Sequence, residues 1–213
     1  MIMVDASQII GNTDLSSLCS MMNRPIVLTG LFRDVLIRHF SSDKYIEEPD
    51  LRHLIWKPGE DTGILIESIH RWRPETTERR PAVIVKRNAY QNDRRGIGDR
   101  RMGPAVDIEG ADHYMTYWNG SHTLFCIGGT GAQAEILATE VQRELTEFGP
   151  ELVRTLGLMR FQVTEIGAVG ELEEAQENFV VPVTVGYAYE ERWTTQMQGP
   201  RLNTVSLSLI KEM

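Results

Sequence analysis

Only two of the 213 residues are cysteines, Cys19 and Cys126, and they lie far apart in the chain. So little sulfur rules out a disulfide framework as the basis of the fold, and an apolar core must do that work. Cys126 sits inside the apolar run Thr123-Leu124-Phe125-Cys126-Ile127, where a buried free thiol is expected. No uninterrupted apolar run approaches the ~20 residues that cross a bilayer, so no membrane partner is expected. The first residues also lack a basic region followed by an apolar stretch and a small-residue cleavage site, so export through a signal peptide is not indicated.

Motifs of catalysis and metal binding are equally scarce. The histidines His39, His53, His70, His113 and His122 form no His-x-x-x-His, and there is no Cys-x-x-Cys to complete a zinc set. No Gly-x-Ser-x-Gly elbow occurs. Gly128-Gly129-Thr130-Gly131 lacks the lysine and hydroxyl of a phosphate loop and misses dinucleotide spacing at Ala134. A tight strand-to-helix turn capped by Thr130 is the simpler expectation. Glu171, Glu173, Glu174 and Glu177 do not match a calcium loop and read as a solvated face. The expectation is a protein that is not an enzyme, with no catalytic residue, no metal and no cofactor.

What is present fits an α+β domain. Apolar residues make up 41% and charged residues 24%, near soluble-globular values. Residues 1–24 are weakly patterned and read as an N-terminal arm, with a short helix near Leu15 to Met22 as one option. Pro25 suits a first helical turn, and Leu28, Leu31, Phe32, Val35, Leu36, His39 and Phe40 form a stripe that ends at Ser41-Ser42-Asp43. Ile64–Trp72 and Pro81–Tyr90 read as strands, and Asn88–Gly110 as a long loop, of the kind that is uncommon unless functional. Asn119-Gly120 predicts a hairpin between strands Tyr114–Trp118 and Ser121–Ile127, which would let His113 and His122 meet across it. Ala134, Leu137, Val141, Leu145 and Phe148 predict a long helix ending near Gly149-Pro150, with another turn or two over Glu151–Leu156. Alternation at Phe161–Ile166 and Phe179–Tyr189 predicts two more strands, and Asn203–Ile210 a last one. The expected architecture is an antiparallel sheet with one long helix packed on it, an N-terminal helix and a long basic loop. Its domain spans 25–193, and 194–213 form a C-terminal strand or extension.

Charge is divided along the chain. The net charge is −8, yet Arg71–Arg101 holds ten basic residues against four acids. Glu135–Glu191 holds twelve acids against three arginines. A surface of defined sign is implied, with Arg79, Arg80, Lys86, Arg87, Arg94, Arg95, Arg100 and Arg101 as the residues facing a partner or DNA. Arginines on a loop suit phosphates without reading sequence, and they equally suit a neighbour's carboxylates. Only Tyr90 is at hand for base stacking, which disfavours single-strand recognition.

The order of elements, carried by Thr123–Ile127 into Ala132–Phe148 and then by Val163–Gly167 and Val181–Tyr187, resembles the tail terminator or tail-completion proteins of tailed bacteriophages. The resemblance implies a structural virion protein of the phage neck, a homo-oligomer forming a hexameric ring. That ring would terminate the tail on the tail tube or sheath protein and join it to the head connector. It further implies assembly in the host cytoplasm, with the basic loop facing channel DNA or the acidic surface of the next ring. The alternatives are a head-to-tail adaptor or other tail structural protein, a sequence-independent nucleic-acid-binding module, and an enzyme with carboxylates gathered from separate loops.

Overall fold

Sequence patterns set out above reappear as elements in a computed structural model, which describes residues 25–59, 61–71, 81–93, 111–172 and 178–196. The expectations for the arm 1–24, the strand 203–210, Cys19, Glu173, Glu174 and Glu177 fall outside the described residues. Helix α1 (Pro25–His39) buries the expected stripe of Leu28, Phe32, Val35, Leu36 and His39. After a single 3-10 turn at Pro49–Leu51 come strands β1 (Leu65–Ser68), β2 (Ala82–Arg87), β3 (Gln91–Asp93) and β4 (Ala111–Gly128). Helix α2 (Gly131–Leu156) follows, then β5 (Arg160–Ile166), β6 (Gly170–Glu171) and β7 (Phe179–Gln196).

The strands make one sheet in the order β1-β2-β4-β7-β5, with β3 also on β4 and β6 also on β7. Antiparallel pairing dominates, as expected, but β1 lies parallel to β2, with Leu65 opposite Ala82 and Ser68 opposite Val85. β4 and β7 are neighbours whose contacts run in opposite order, Gly120 against Tyr187 and Thr123 against Thr184, which makes the pair antiparallel. Thr123 Oγ1 lies 3.4 Å from Thr184 Oγ1, and one residue earlier on β4 the His122 ring is 5.5 Å from that of Tyr187, further along β7.

One face of the sheet, with Ile66, Val83, Val85, Leu124, Val183 and Val185, is buried in a single core with Phe32 and Leu36 of α1 and Leu137, Val141 and Leu145 of α2. The other face has a smaller cluster of Ala82, Ile84 and Ile127, on which Ile69 and Val180 pack. Burial on both faces explains why Ala82-Val83-Ile84-Val85 is a continuous apolar run rather than an alternating one. The chain divides into two units, Met1–Asp93 with Tyr117–Glu190 and Arg94–Thr116 with Glu191–Met213. The first contains α1 and α2. The described residues of the second are the strand segments 111–116 and 191–196.

Three local expectations are corrected. Helix α2 does not stop at Pro150 but runs through it to Leu156. Proline removes one helical hydrogen bond, yet on either side of it Gly149, Leu152 and Leu156 are buried. A Cβ at Gly149 would come within 3.1 Å of the Phe161 ring, so tertiary packing holds the second half of the helix in place. The turns expected over Glu151–Leu156 are its continuation, and they end where the sequence suits an end, at Gly157, left-handed at φ 62°, whose amide and that of Leu158 both reach the Val153 carbonyl.

Asn119-Gly120 is not a hairpin turn. It lies inside β4, with Asn119 opposite Gln91 of β3. Gly120 is required because a Cβ there would lie 2.7 Å from the Tyr187 ring, itself fully buried. His113 and His122 therefore belong to one strand and do not face each other across a turn. Gly120→Ala is expected to cost about 1–3 kcal/mol through overpacking against Tyr187, measured by urea unfolding. A variant as stable as the parent would show that the ring yields freely. The loop expected over Asn88–Gly110 is irregular at 88–90 but then holds the short strand β3 at Gln91–Asp93.

Candidate functional site

Of the eight basic residues singled out, Lys86 and Arg87 are described. Arg79, Arg80, Arg94, Arg95, Arg100 and Arg101 lie outside the described residues. The pair closes β2, and both side chains are exposed. Strand geometry turns consecutive residues to opposite faces, so they do not form one patch. Lys86 Nζ stands 5.8 Å above the Phe125 ring. Arg87 lies 5.6 Å from the Tyr90 ring, which packs against Trp118 at 5.2 Å. Arg87, Tyr90 and Trp118 thus form a cationic-aromatic ledge, a composition enriched at protein interfaces. Tyr90 is 38% exposed and supplies its accessible surface.

Two buried histidines are the groups that sequence reasoning missed. His39 closes the α1 stripe and points between two acids of α2. Its Nε2 is 2.8 Å from Glu140 Oε1 and its Nδ1 is 2.9 Å from Glu144 Oε2. A carboxylate accepts only, so both ring nitrogens donate and the ring is an imidazolium. Burial alone would lower its pKa, but the bonds to Glu140 and Glu144 outweigh it and hold the pKa up at about 9. The Glu140 carboxylate is fully buried and also accepts the Glu47 amide at 3.1 Å, the Glu48 amide at 3.3 Å and the Arg143 guanidinium. Burial raises the Glu140 pKa, but these donors, His39 first, outweigh it and leave it below the usual carboxylate range. Arg143 continues outward to Glu47 at 3.0 Å. The cluster ties the end of α1, the connection after it and α2 together. The available signal was an acid on the apolar face of one helix and a histidine in the stripe of another.

His122 is the opposite case. It is fully buried on β4, with Nε2 2.8 Å from Thr29 Oγ1 of α1 and the Phe32 ring 5.0 Å away, edge on. Thr29 Oγ1 donates in turn to the Pro25 carbonyl at 3.2 Å. Neither His122 Nδ1 nor the Tyr187 hydroxyl has a hydrogen-bond partner among the described residues. Burial first, and then the charge of Arg87, lower the pKa of this ring to about 4, while a bond to the Pro25 carbonyl works the other way. The ring is neutral at pH 7.

The glycine-rich turn before α2 is a cap, as expected from its sequence. Thr130 accepts the Gln133 amide at 3.1 Å, and Gln133 Oε1 reaches back to the Gly129 amide at 3.0 Å. Cys126 is buried and free. Among the described residues no group of three or more histidine, cysteine or acidic side chains is placed to hold a metal ion, and no helix is long and apolar enough to cross a membrane. Comparison with models of known protein families returned no match, and comparison with curated proteins returned none.

Proposed function

We propose that this protein is a structural subunit of a tailed-phage neck, assembling with copies of itself into a ring that terminates the tail and docks on the head connector. The observation carrying this reading is the element order: an N-terminal helix, paired strands, a long strand leading into one long helix on the sheet, and closing strands. It keeps the first helix, the paired strands, the later helix and the closing strands on which the resemblance to tail terminator proteins rests, with one long strand where that order has a hairpin. The use of the buried ionisable groups also fits a scaffold. His39 and Glu140 bind two helices together, and His122 binds α1 to the sheet. The cationic-aromatic ledge of Arg87, Tyr90 and Trp118 supplies a candidate docking face. The separation of Lys86 from Arg87 across the sheet favours protein contact over a single duplex-gripping platform.

The test is genetic. In the phage that encodes it, replacing Arg94, Arg95, Arg100 and Arg101 by alanine is expected to leave the purified subunit folded. Micrographs of lysates should then show filled heads and tails that fail to join. Normal yields of joined, infectious particles would overturn the reading. So would salt-sensitive duplex binding by the isolated chain that these changes abolish, which would favour the nucleic-acid module.

A further inference from the structure

Parallel pairing of β1 with β2 fixes the relation between the two outer strands of the sheet. Taking β1 and β2 as running upward, β4 runs down, β7 up and β5 down. Among the described residues β1 and β5 are the outermost strands, and they run in opposite senses. Copies set side by side by a rotation about an axis along the strands keep their directions. β5 of one copy would then lie beside β1 of the next in antiparallel sense, the better-formed ladder. Had β1 been a simple hairpin partner of β2, the same edges would meet in parallel.

The two edges also match in detail. Leu65 and Ile69 donate inward to the Pro81 and Val85 carbonyls, so alternation turns the backbone groups of Ile66 and Ser68 outward. On an L-polypeptide strand the side-chain face fixes which way the backbone groups point, and Ile66 faces the helix-covered side. By the same rule the outward residues of β5, which runs the other way on the other edge, are those on the helix side, Phe161 and Val163. Across a join, Ile66 would therefore continue the apolar face begun by Phe161 and Val163. Strand β5 carries no lysine and no proline, and of the usual guards of an open edge it has a bulge between Val163 and Glu165, which leaves Arg160–Val163 as its regular stretch. Ile166 at its end is 48% exposed, and Met159 and Val169 beside it are 45% and 37% exposed.

We propose that copies of this chain join edge to edge, β5 of one adding antiparallel to β1 of the next. The occupant of each edge is thus a second copy, and heterologous contacts of this kind give a ring where the rotation between copies closes and a filament where it does not. The proposal rests on the self-assembly part of the reading above.

Two full-length variants test it. Ser68→Pro removes an outward amide that meets only its neighbour's Glu67 carboxylate at 3.3 Å, so β1 is blocked while its pairing with β2 is kept. Val163→Lys places a charge on the β5 edge, its stem able to lie along the surface. Native mass spectrometry and sedimentation velocity should show the parent assembling. Each variant alone should assemble at least about tenfold more weakly, with thermal midpoints near the parent's. A one-to-one mixture should form dimers and nothing larger, because each variant keeps the one edge the other needs. If the parent assembles and both variants assemble equally well, edge pairing is wrong and the ring reading survives. A parent that stays monomeric at the highest attainable concentration, with tails joining normally in its absence, overturns both.

Discussion

Replacing Glu140 by leucine is expected to cost about 3–5 kcal/mol of folding stability, the usual cost of breaking a buried charge cluster by deleting one partner. The magnitude follows from what is left behind. His39 would remain protonated inside the protein with Glu144 as its single carboxylate, and the Glu47 and Glu48 amides would lose their acceptor. Arg143 would keep only the more exposed Glu47. Urea unfolding of the variant measures the loss directly. A cost below about 1 kcal/mol, the range of surface ion pairs, would mean the cluster is solvated and its members are independent. The linkage has a definite sign. The His39 pKa is raised above its unfolded value near 6.5, so its contribution is complete below that pH and is lost as pH rises through about 9. Glu140 is depressed, so its contribution is present above about 4.5 and is lost as pH falls through its lower folded value. The variant should therefore flatten the alkaline arm of the stability profile as well as lower its plateau.

The second large effect belongs to His122 and appears on the acid side. Its folded pKa of about 4 lies below the unfolded 6.5. Between those values the unfolded chain binds a proton that the folded chain refuses, so stability falls as pH drops from 6.5 and levels off below 4. The full span is about 3 kcal/mol at 1.36 kcal/mol per unit. The groups facing the ring are Thr29 and Phe32 of α1, Tyr187 of β7 and the charge of Arg87 on β2. Among them is no carboxylate to accept the added proton's charge. His122→Gln keeps a partner for Thr29 and cannot titrate. Its stability should stay level between pH 6.5 and 4.5, where the parent's declines, as followed by chemical denaturation at each pH. An unchanged acid slope in this variant would place the acid sensitivity elsewhere.

How far these features could be read beforehand depended on the range of the interaction concerned. The α1 stripe and the strict alternation in β5 and β7 are local periodicities, and both became the elements they indicate. So did the Thr130 cap, whose donors and acceptors lie within four residues. Asn119-Gly120 misled because its glycine answers a ring 67 residues away rather than a turn in its own backbone. Pro150 misled for the same reason: the contact that carries the helix past it is Gly149 on Phe161 of the next strand. The parallel course of β1 was not legible either, since strand direction leaves no mark in a four-residue run. In the candidate site, the basic residues were visible as a cluster in sequence. Their division across the sheet at Lys86 and Arg87 follows from strand alternation once both belong to β2. Glu140 and His39 each broke an otherwise apolar pattern, and only the packing of one helix against the other makes them a pair.

The seclusion of Cys126 has a practical consequence. Its thiol is wholly enclosed on β4, and desolvation pushes its ionisation far up, so the reactive thiolate is scarce while the sheet is intact. Alkylation at this position therefore waits on opening of the central strands, and its rate in native buffer reads out how often the middle of the sheet breathes.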